Sequence, residues 1–173
     1  GGMAVALKLE DKLVVGISSR ALFDLETENH IYETEGLDAY AQYQLEHEND
    51  ILLPGTAFPL VKALHRLNAD GHYLTEIIIM SKNSADTSLR IFNSIQHYGL
   101  GISRAAITPY LGAFKTDLFL SANELDVQEA INANIAAGII CSHDGLPISP
   151  EDNIEQIRIA FDGDAVIFSD ESE

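Results

Sequence analysis

Two carboxylates with a single glycine between them, Asp162 and Asp164, are the side chains in this sequence best suited to chemistry. Asp162 can attack a phosphorus atom as a nucleophile, while Asp164 can protonate the leaving oxygen and later activate the water that cleaves the aspartyl-phosphate. Because carboxylates repel a phosphate dianion, we expect Mg²⁺ to be bound by the same two side chains. The alternative is a plain acidic turn, since Asp and Gly are common turn residues.

A strand must position these carboxylates. Ile157, Ile159 and Phe161 alternate with smaller or polar residues just before Asp162. This alternation predicts a β-strand that ends at Asp162. The carboxyl ends of strands in an open α/β sheet are where ligands bind. The sequence therefore places Asp162 where a substrate is expected.

The residues around this pair resemble a known family. The stretch Phe-Asp-Gly-Asp-Ala-Val-Ile-Phe-Ser-Asp-Glu, residues 161–171, resembles the first motif of the haloacid dehalogenase-like phosphatases, Asp-x-Asp-x-(Thr/Val) after a hydrophobic strand. More narrowly, the chain from about Val14 to Glu173 is similar to the cytosolic 5'-nucleotidase type I family. Three further stretches carry that similarity: Ser18–Asp24, Tyr43–Asn49 and Pro54–Leu64. The resemblance implies a Mg²⁺-dependent hydrolase of nucleotide metabolism that converts nucleoside 5'-monophosphates, such as AMP, to nucleoside and phosphate.

Composition narrows the class of protein. The chain has 173 residues, of which 46% are hydrophobic and 21% charged, enough for one sizeable core. Its 27 acidic and 10 basic residues give a formal net charge of −17, which argues against nucleic-acid and anionic-membrane partners. The apolar runs are too short to cross a bilayer. The single Cys141 follows an apolar run, so we expect a buried structural thiol in a cytoplasmic protein.

Apolar runs of strand length alternate with segments that repeat apolar residues at helical spacing. Strands are predicted near residues 13–17, 74–80, 105–108, 118–120 and 139–141. Helices are predicted around residues 37–48, 60–67, 89–96 and 127–138, two of them between the first and second strands. This alternation predicts an α/β fold, a mostly parallel Rossmann-like sheet with helices on both faces. The family resemblance implies that the fold is haloacid dehalogenase-like.

The chain also contains an internal repeat. Ile17–Leu22 aligns with Phe161–Val166, so that Ser18 replaces the nucleophile Asp162 and Arg20 replaces Asp164. We interpret residues 1–150 as a degenerate phosphatase-like α/β half. Residues 151–173 are then the first strand and the nucleophile motif of a truncated catalytic half. The alternative is a chance match between two short stretches.

Polar residues just past other strand ends are candidates for binding the substrate: Arg20, Ser81, Lys82 and Asn83. The Arg20 guanidinium can bind a phosphate or a ribose edge, or it can form a salt bridge to Asp24 or to the adjacent half. Ser81 resembles the second phosphatase motif, in which a hydroxyl binds the phosphate. The alternative for this second strand end is simple helix capping by Ser84 or Asp86.

Two classes of function remain open. The first is a 5'-nucleotidase that acts through Asp162 and Asp164. The second is a non-catalytic nucleotide-binding or assembly domain, because the chain stops at Glu173 and the family resemblance predicts a second motif, a lysine and an acidic pair on a further segment. We therefore expect a fragment of a longer protein, whose partner is a complementary C-terminal segment or a second copy of the chain.

Overall fold

The computed structural model describes residues 12–81, 89–102, 104–107, 112–141, 148–151 and 157. The strand predicted before Asp162 lies outside the described residues, apart from Ile157. In the described part of the chain, no helix is both long enough and apolar enough to cross a bilayer.

Five parallel strands form one sheet in the order β3-β2-β1-β4-β5. The strands are β1 (Leu13–Ser18), β2 (Thr75–Ser81), β3 (Arg104–Ile107), β4 (Leu118–Ser121) and β5 (Ala136–Ile139). In the central register, Val15 lies opposite Ile77 on one side and Leu118 on the other. This is the strand order of a doubly wound, Rossmann-type sheet. The prediction of an α/β fold with a parallel, Rossmann-like sheet is confirmed.

Six α-helices accompany these strands in the described residues. They are α1 (Ser19–Leu22), α2 (Glu26–Glu35), α3 (Leu37–Glu46), α4 (Phe58–Arg66), α5 (Leu89–His97) and α6 (Glu124–Asn132). Four of them separate β1 from β2, where the sequence predicted two. The periodicity of α3 and α4 was visible in the sequence. However, α2 has the sequence ETENHIYETE, which offers no apolar stripe, and its one buried residue is Glu28.

Each face of the sheet buries a separate core, because alternate strand residues point to opposite faces. On one face, Val15 and Ile17 of β1 pack with Ile77 and Ile79 of β2 and with residues of α1, α4 and α5. The opposite core is smaller and uses α6: Val14, Ile78, Met80, Ala106, Phe119, Ala130 and Ile135. Helices therefore cover both faces, as predicted, and β1 is buried on both sides.

Strand β1 is held closely by its neighbours. A Cβ added at Gly16 would lie 3.2 Å from side-chain atoms of both Phe119 and Thr116. At the start of the strand, the Val14 amide donates to Asp117 Oδ2 at 2.8 Å. The first part and the middle of β1 are thus held by a hydrogen bond to the loop before β4 and by tight packing.

The C-terminal part of the sheet differs from the prediction. The predicted helix to Gly138 ends instead at Asn132, because Asn134 takes a left-handed φ of 58° and turns the chain back. Ile135 then packs into the smaller core, and β5 begins three residues earlier than predicted. Cys141 lies beyond the end of β5 and is exposed, so the expectation of a buried thiol was wrong.

The described residues after β5 return to the larger core. Ile148 and Ile157 pack against it, and Lys62 Nζ of α4 donates to the Pro150 carbonyl at 2.6 Å. Ile157, the first residue of the apolar run before Asp162, is therefore in contact with the larger core.

Candidate functional site

A cleft of about 280 Å³ opens at the carboxyl edge of the sheet. It lies where the strand order reverses, since β2 and β3 extend to one side of β1 and β4 and β5 to the other. Ligands of open α/β sheets bind at such a switch point. Three strand ends supply its floor through Ser18, Ser81 and Asn123.

The end of β1 turns directly into α1 through Ser18. The Ser18 Oγ atom accepts a hydrogen bond from the Ala21 amide at 3.2 Å, which makes Ser18 the N-cap of this one-turn helix. The Ser18 side chain is buried. A serine is a favourable cap because its oxygen satisfies an amide that has no partner within the helix.

Arg20 stands at the rim of the cleft. Its Nη2 atom lies 3.8 Å from Glu26 Oε1, and the side chains are 39% and 84% exposed. Asp24, the acidic partner that the sequence suggested for Arg20, instead accepts a hydrogen bond from the Glu26 amide at 3.1 Å. An exposed pair at this separation is weak, so the guanidinium can turn to another anion at low cost.

Helix α2 forms the roof of the cleft and is fastened by a buried ion pair. Arg90 Nη1 of α5 donates to Glu28 Oε1, with both side chains almost fully buried. Arg90 Nε also donates to the Asp50 carbonyl at 3.0 Å. Beside this pair, the rings of Tyr32 and Tyr40 meet edge to face with their centroids 5.9 Å apart. The roof is therefore tied to α5 by charge and to α3 by aromatic packing.

The start of α6 also lines the cleft. Asn123 Oδ1 accepts hydrogen bonds from the Leu125 amide at 2.9 Å and the Asp126 amide at 3.3 Å, which caps the helix. Ser121 Oγ donates to the buried Asp126 Oδ2 at 3.0 Å. This wall offers amide and carboxylate groups that are already oriented by their own hydrogen bonds.

The structure brings two of the predicted binding residues together. Arg20 and Ser81 come from neighbouring strand ends, and both line the cleft. Lys82, Asn83, Asp162 and Asp164 lie outside the described residues, and so do Ser84 and Asp86, the capping alternatives.

The roof of the cleft was not predicted from the sequence. Glu28 and Tyr32 are four positions apart and therefore share one face of α2. That spacing was the one available signal, and it could not be recognised without knowing that the segment is helical.

Metal-binding chemistry is not found in this part of the chain. Within the described ranges, no group of three or more His, Cys, Asp or Glu side chains is arranged to hold a metal ion.

Comparison with known proteins identifies the family. A family model described as 5'-nucleotidase matches residues 5–173. The chain belongs to the 5'-nucleotidase family. It is 42% identical over 179 residues to cytosolic 5'-nucleotidase 1B of Homo sapiens, and the match covers 96% of this chain and 29% of that protein. The chain thus spans less than a third of the length of this curated relative. No solved structure matches it significantly.

The 5'-nucleotidase family match confirms the resemblance seen in the sequence. It covers the described α/β unit and the Asp162–Asp164 stretch together. The parallel, Rossmann-like sheet agrees with a haloacid dehalogenase-like fold.

Proposed function

We propose that this 5'-nucleotidase chain is part of a cytoplasmic enzyme that hydrolyses nucleoside 5'-monophosphates, such as AMP, to nucleoside and phosphate. The observation that carries the proposal is the family match over residues 5–173, which includes the Asp162–Gly163–Asp164 motif. The relative with 42% identity is named a cytosolic 5'-nucleotidase, which supports both the reaction and the compartment.

In the proposed reaction, a carboxylate oxygen of Asp162 attacks phosphorus and forms an aspartyl-phosphate while the bond from phosphorus to the 5' oxygen breaks. Asp164 gives its proton to that leaving oxygen, so the nucleoside departs as a neutral alcohol. Asp164 then takes a proton from water, which attacks the aspartyl-phosphate and releases inorganic phosphate. Both carboxylates return to their starting states at the end of the cycle.

We include Mg²⁺ in the proposal because of the ligand atoms that the motif offers. Carboxylate oxygens are the ligands that Mg²⁺ prefers, and Asp162 and Asp164 are the residues that would hold it. When bound, the ion would offset the negative charge of the phosphate and the two carboxylates. The described cleft offers no comparable group of metal-binding side chains.

The described half does not carry this chemistry in our proposal. Ser18 and Arg20 occupy the positions that align with Asp162 and Asp164. Ser18 Oγ is engaged as the cap of α1, and a guanidinium stays protonated at any working pH, so it cannot shuttle a proton. We therefore keep residues 1–150 as a degenerate phosphatase-like half and residues 151–173 as the start of the catalytic half.

Four residues are proposed to bind nucleotide: Arg20, Ser81, Lys82 and Asn83. Support comes from Arg20 and Ser81, which line one cleft at the carboxyl edge of the sheet. The same observation favours the second candidate function, a non-catalytic nucleotide-binding or assembly domain.

A phosphate-release assay tests the proposed reaction. A longer form of the protein that continues past Glu173 is expected to release phosphate from AMP with Mg²⁺ and to lose that activity in EDTA. Adenosine 3'-monophosphate, which presents its phosphate on the wrong carbon, is the matched control substrate. Equal turnover of the 3' and 5' compounds, or no turnover of AMP at all, would contradict a 5'-nucleotidase.

A further inference from the structure

We propose that one exposed face of helix α3 binds a basic amphipathic helix of a partner protein. The α3 face consists of an apolar row, Leu37, Ala41 and Leu45, and of the acidic Glu46 at its end. It includes no residue that lines the cleft and none of the Asp162 motif. The proposal therefore concerns an interaction surface and goes beyond the proposed reaction.

The apolar row runs along the outside of α3. Leu37, Ala41 and Leu45 are each four positions apart, so their side chains lie one above the other on the helix. Leu37 is 52% exposed, Leu45 is 62% exposed, and Ala41 is exposed as well. The buried residues of α3 are instead Tyr40 and Gln44. Scattered exposed leucines are ordinary, but these form one row that the described part of the chain leaves uncovered.

The surroundings of this row are strongly acidic. Between Arg20 and Lys62 the sequence has nine Asp and Glu residues and no Lys or Arg. Only one of the nine, Glu28, is buried, and it is paired with Arg90. On the α3 face itself, Glu46 directly follows the last leucine of the row and is exposed. A surface of this charge attracts cationic partners and repels anionic ones.

A basic amphipathic helix matches both properties of the α3 face. Its apolar residues, repeated at helical spacing, can pack along the leucine row. Its Lys and Arg residues then meet carboxylates at the edge of the contact, where opposite charges speed association and select the partner. An uncharged apolar helix would use the row but gain nothing from the acidic surroundings, so the charge favours a basic one.

A second copy of this chain does not offer such a helix. No helix in the described residues carries more than two Lys or Arg side chains, and the helix with two is α4, with Lys62 and Arg66. Lys62 already donates to the Pro150 carbonyl. Two copies would also repel each other, because each has a formal net charge of −17. We therefore assign the basic helix to another protein.

Fluorescence anisotropy of a labelled peptide tests the proposal on the 173-residue chain. The probe is a synthetic helical peptide with leucines on one face and lysines on the other. Its control has the same composition in a scrambled order, so it keeps the charge and loses the apolar face. The probe is expected to bind at least about tenfold more tightly than the scrambled peptide. Equal binding of the two would overturn the proposal, because charge alone would then explain it.

A double variant tests the leucine row. Leu37→Ala/Leu45→Ala is expected to weaken the probe at least about tenfold, because it removes most of the apolar contact area. Ile131→Ala is the matched control, since Ile131 is 48% exposed on α6, and it is expected to keep the affinity. Circular dichroism verifies that both variants are folded. Unchanged affinity in the folded double variant would rule out the α3 face as the binding surface.

A pair of charge reversals tests the acidic part of the face. Glu46→Lys and Glu129→Lys change the net charge equally at exposed positions on α3 and α6. Glu46→Lys is expected to weaken the probe at least about threefold more than Glu129→Lys, because charges away from the contact are screened by salt. Equal losses in the two variants would show that the peptide responds only to total charge, against the proposal.

Self-association of the chain tests the other occupant. Analytical ultracentrifugation of the 173-residue chain is expected to give the same association state for the parent and for Leu37→Ala/Leu45→Ala. Dimers that are present in the parent and lost in the double variant would make a second copy the occupant and would overturn the proposal. These measurements use no nucleotide, so their outcome is independent of hydrolysis at Asp162.

Discussion

The chain carries a polar tripeptide after an apolar run twice, as Ser18–Ser19–Arg20 and as Asp162–Gly163–Asp164. The first tripeptide follows the central strand of the sheet. Its Ser18 caps a one-turn helix, and its Arg20 stands at the rim of the cleft. The second keeps the two carboxylates that phosphoryl transfer through an aspartate requires. The comparison teaches that the same short pattern after an apolar run can carry either a helix cap and a cation or two carboxylates.

The largest expected effect is on turnover by the second tripeptide. Asp162→Asn in the longer protein is expected to lower kcat on the order of 10⁴-fold or more, because an amide is a far poorer nucleophile. Phosphate release from AMP is the measurement. Asp38→Asn, on the exposed first turn of α3, is the matched control and is expected to keep activity. A tenfold loss or less in Asp162→Asn would break the comparison.

The next largest effect is on the stability of helix α2, the roof of the cleft above the first tripeptide. Arg90→Leu leaves the buried Glu28 carboxylate without its ion-pair partner, and breaking such a pair costs about 3–5 kcal/mol. Urea unfolding of the 173-residue chain measures this loss. Glu26→Gln, which removes the exposed partner of Arg20, is the control, with an expected change of about 0–1 kcal/mol. Equal effects in both variants would show that the roof is not fastened by this pair.

Loss of the Ser18 cap on α1 is expected to have a smaller effect on stability. Ser18→Ala removes the acceptor for the Ala21 amide and is expected to cost about 1 kcal/mol in the free energy of unfolding. A Ser18→Ala chain as stable as the parent in urea would mean that the hydroxyl does not support the strand end.

The smallest effect concerns the stability of the fold at alkaline pH. Burial raises the pKa of Tyr98 above its usual value of 10.0, and its phenol donates to the Leu52 carbonyl at 2.9 Å. As the pH rises past about 10, the unfolded state releases this proton before the folded state does, so stability contributed by Tyr98 is present below pH 10 and lost above it. Urea unfolding of Tyr98→Phe between pH 8 and 11 should show a shallower decline than the parent. An identical decline in the free energy of unfolding for Tyr98→Phe and the parent would contradict this role of Tyr98.

The strands could be predicted from the sequence because β1 and β2 are nearly continuous apolar runs, the pattern of strands covered on both faces. Arg20 and Ser81 were predicted as binding residues because they follow those strands directly. The roof could not be predicted, since α2 has no apolar periodicity and is held by Arg90, 62 positions from Glu28. Such a contact is created by tertiary packing, which local periodicity does not encode.

The end of α6 was placed wrongly for a related reason. Ile135 continues the apolar spacing of Val127 and Ile131, so the sequence predicted one longer helix. In the structure, Asn134 adopts a left-handed conformation that asparagine tolerates better than most residues, and Ile135 reaches the core after the turn. Periodicity alone cannot distinguish these two routes to the same burial.

The site of the covalent phosphate tests the central claim most directly. In the longer protein, Asp164→Asn is expected to retain the nucleophile and lose the group that activates water, so that phosphate accumulates on the enzyme. After incubation with AMP and Mg²⁺ and an acid quench, peptide mass spectrometry should find a hydroxylamine-sensitive phosphate on Asp162. A hydroxylamine-resistant phosphate on Ser18 would contradict this account, because it would assign the chemistry to the first tripeptide.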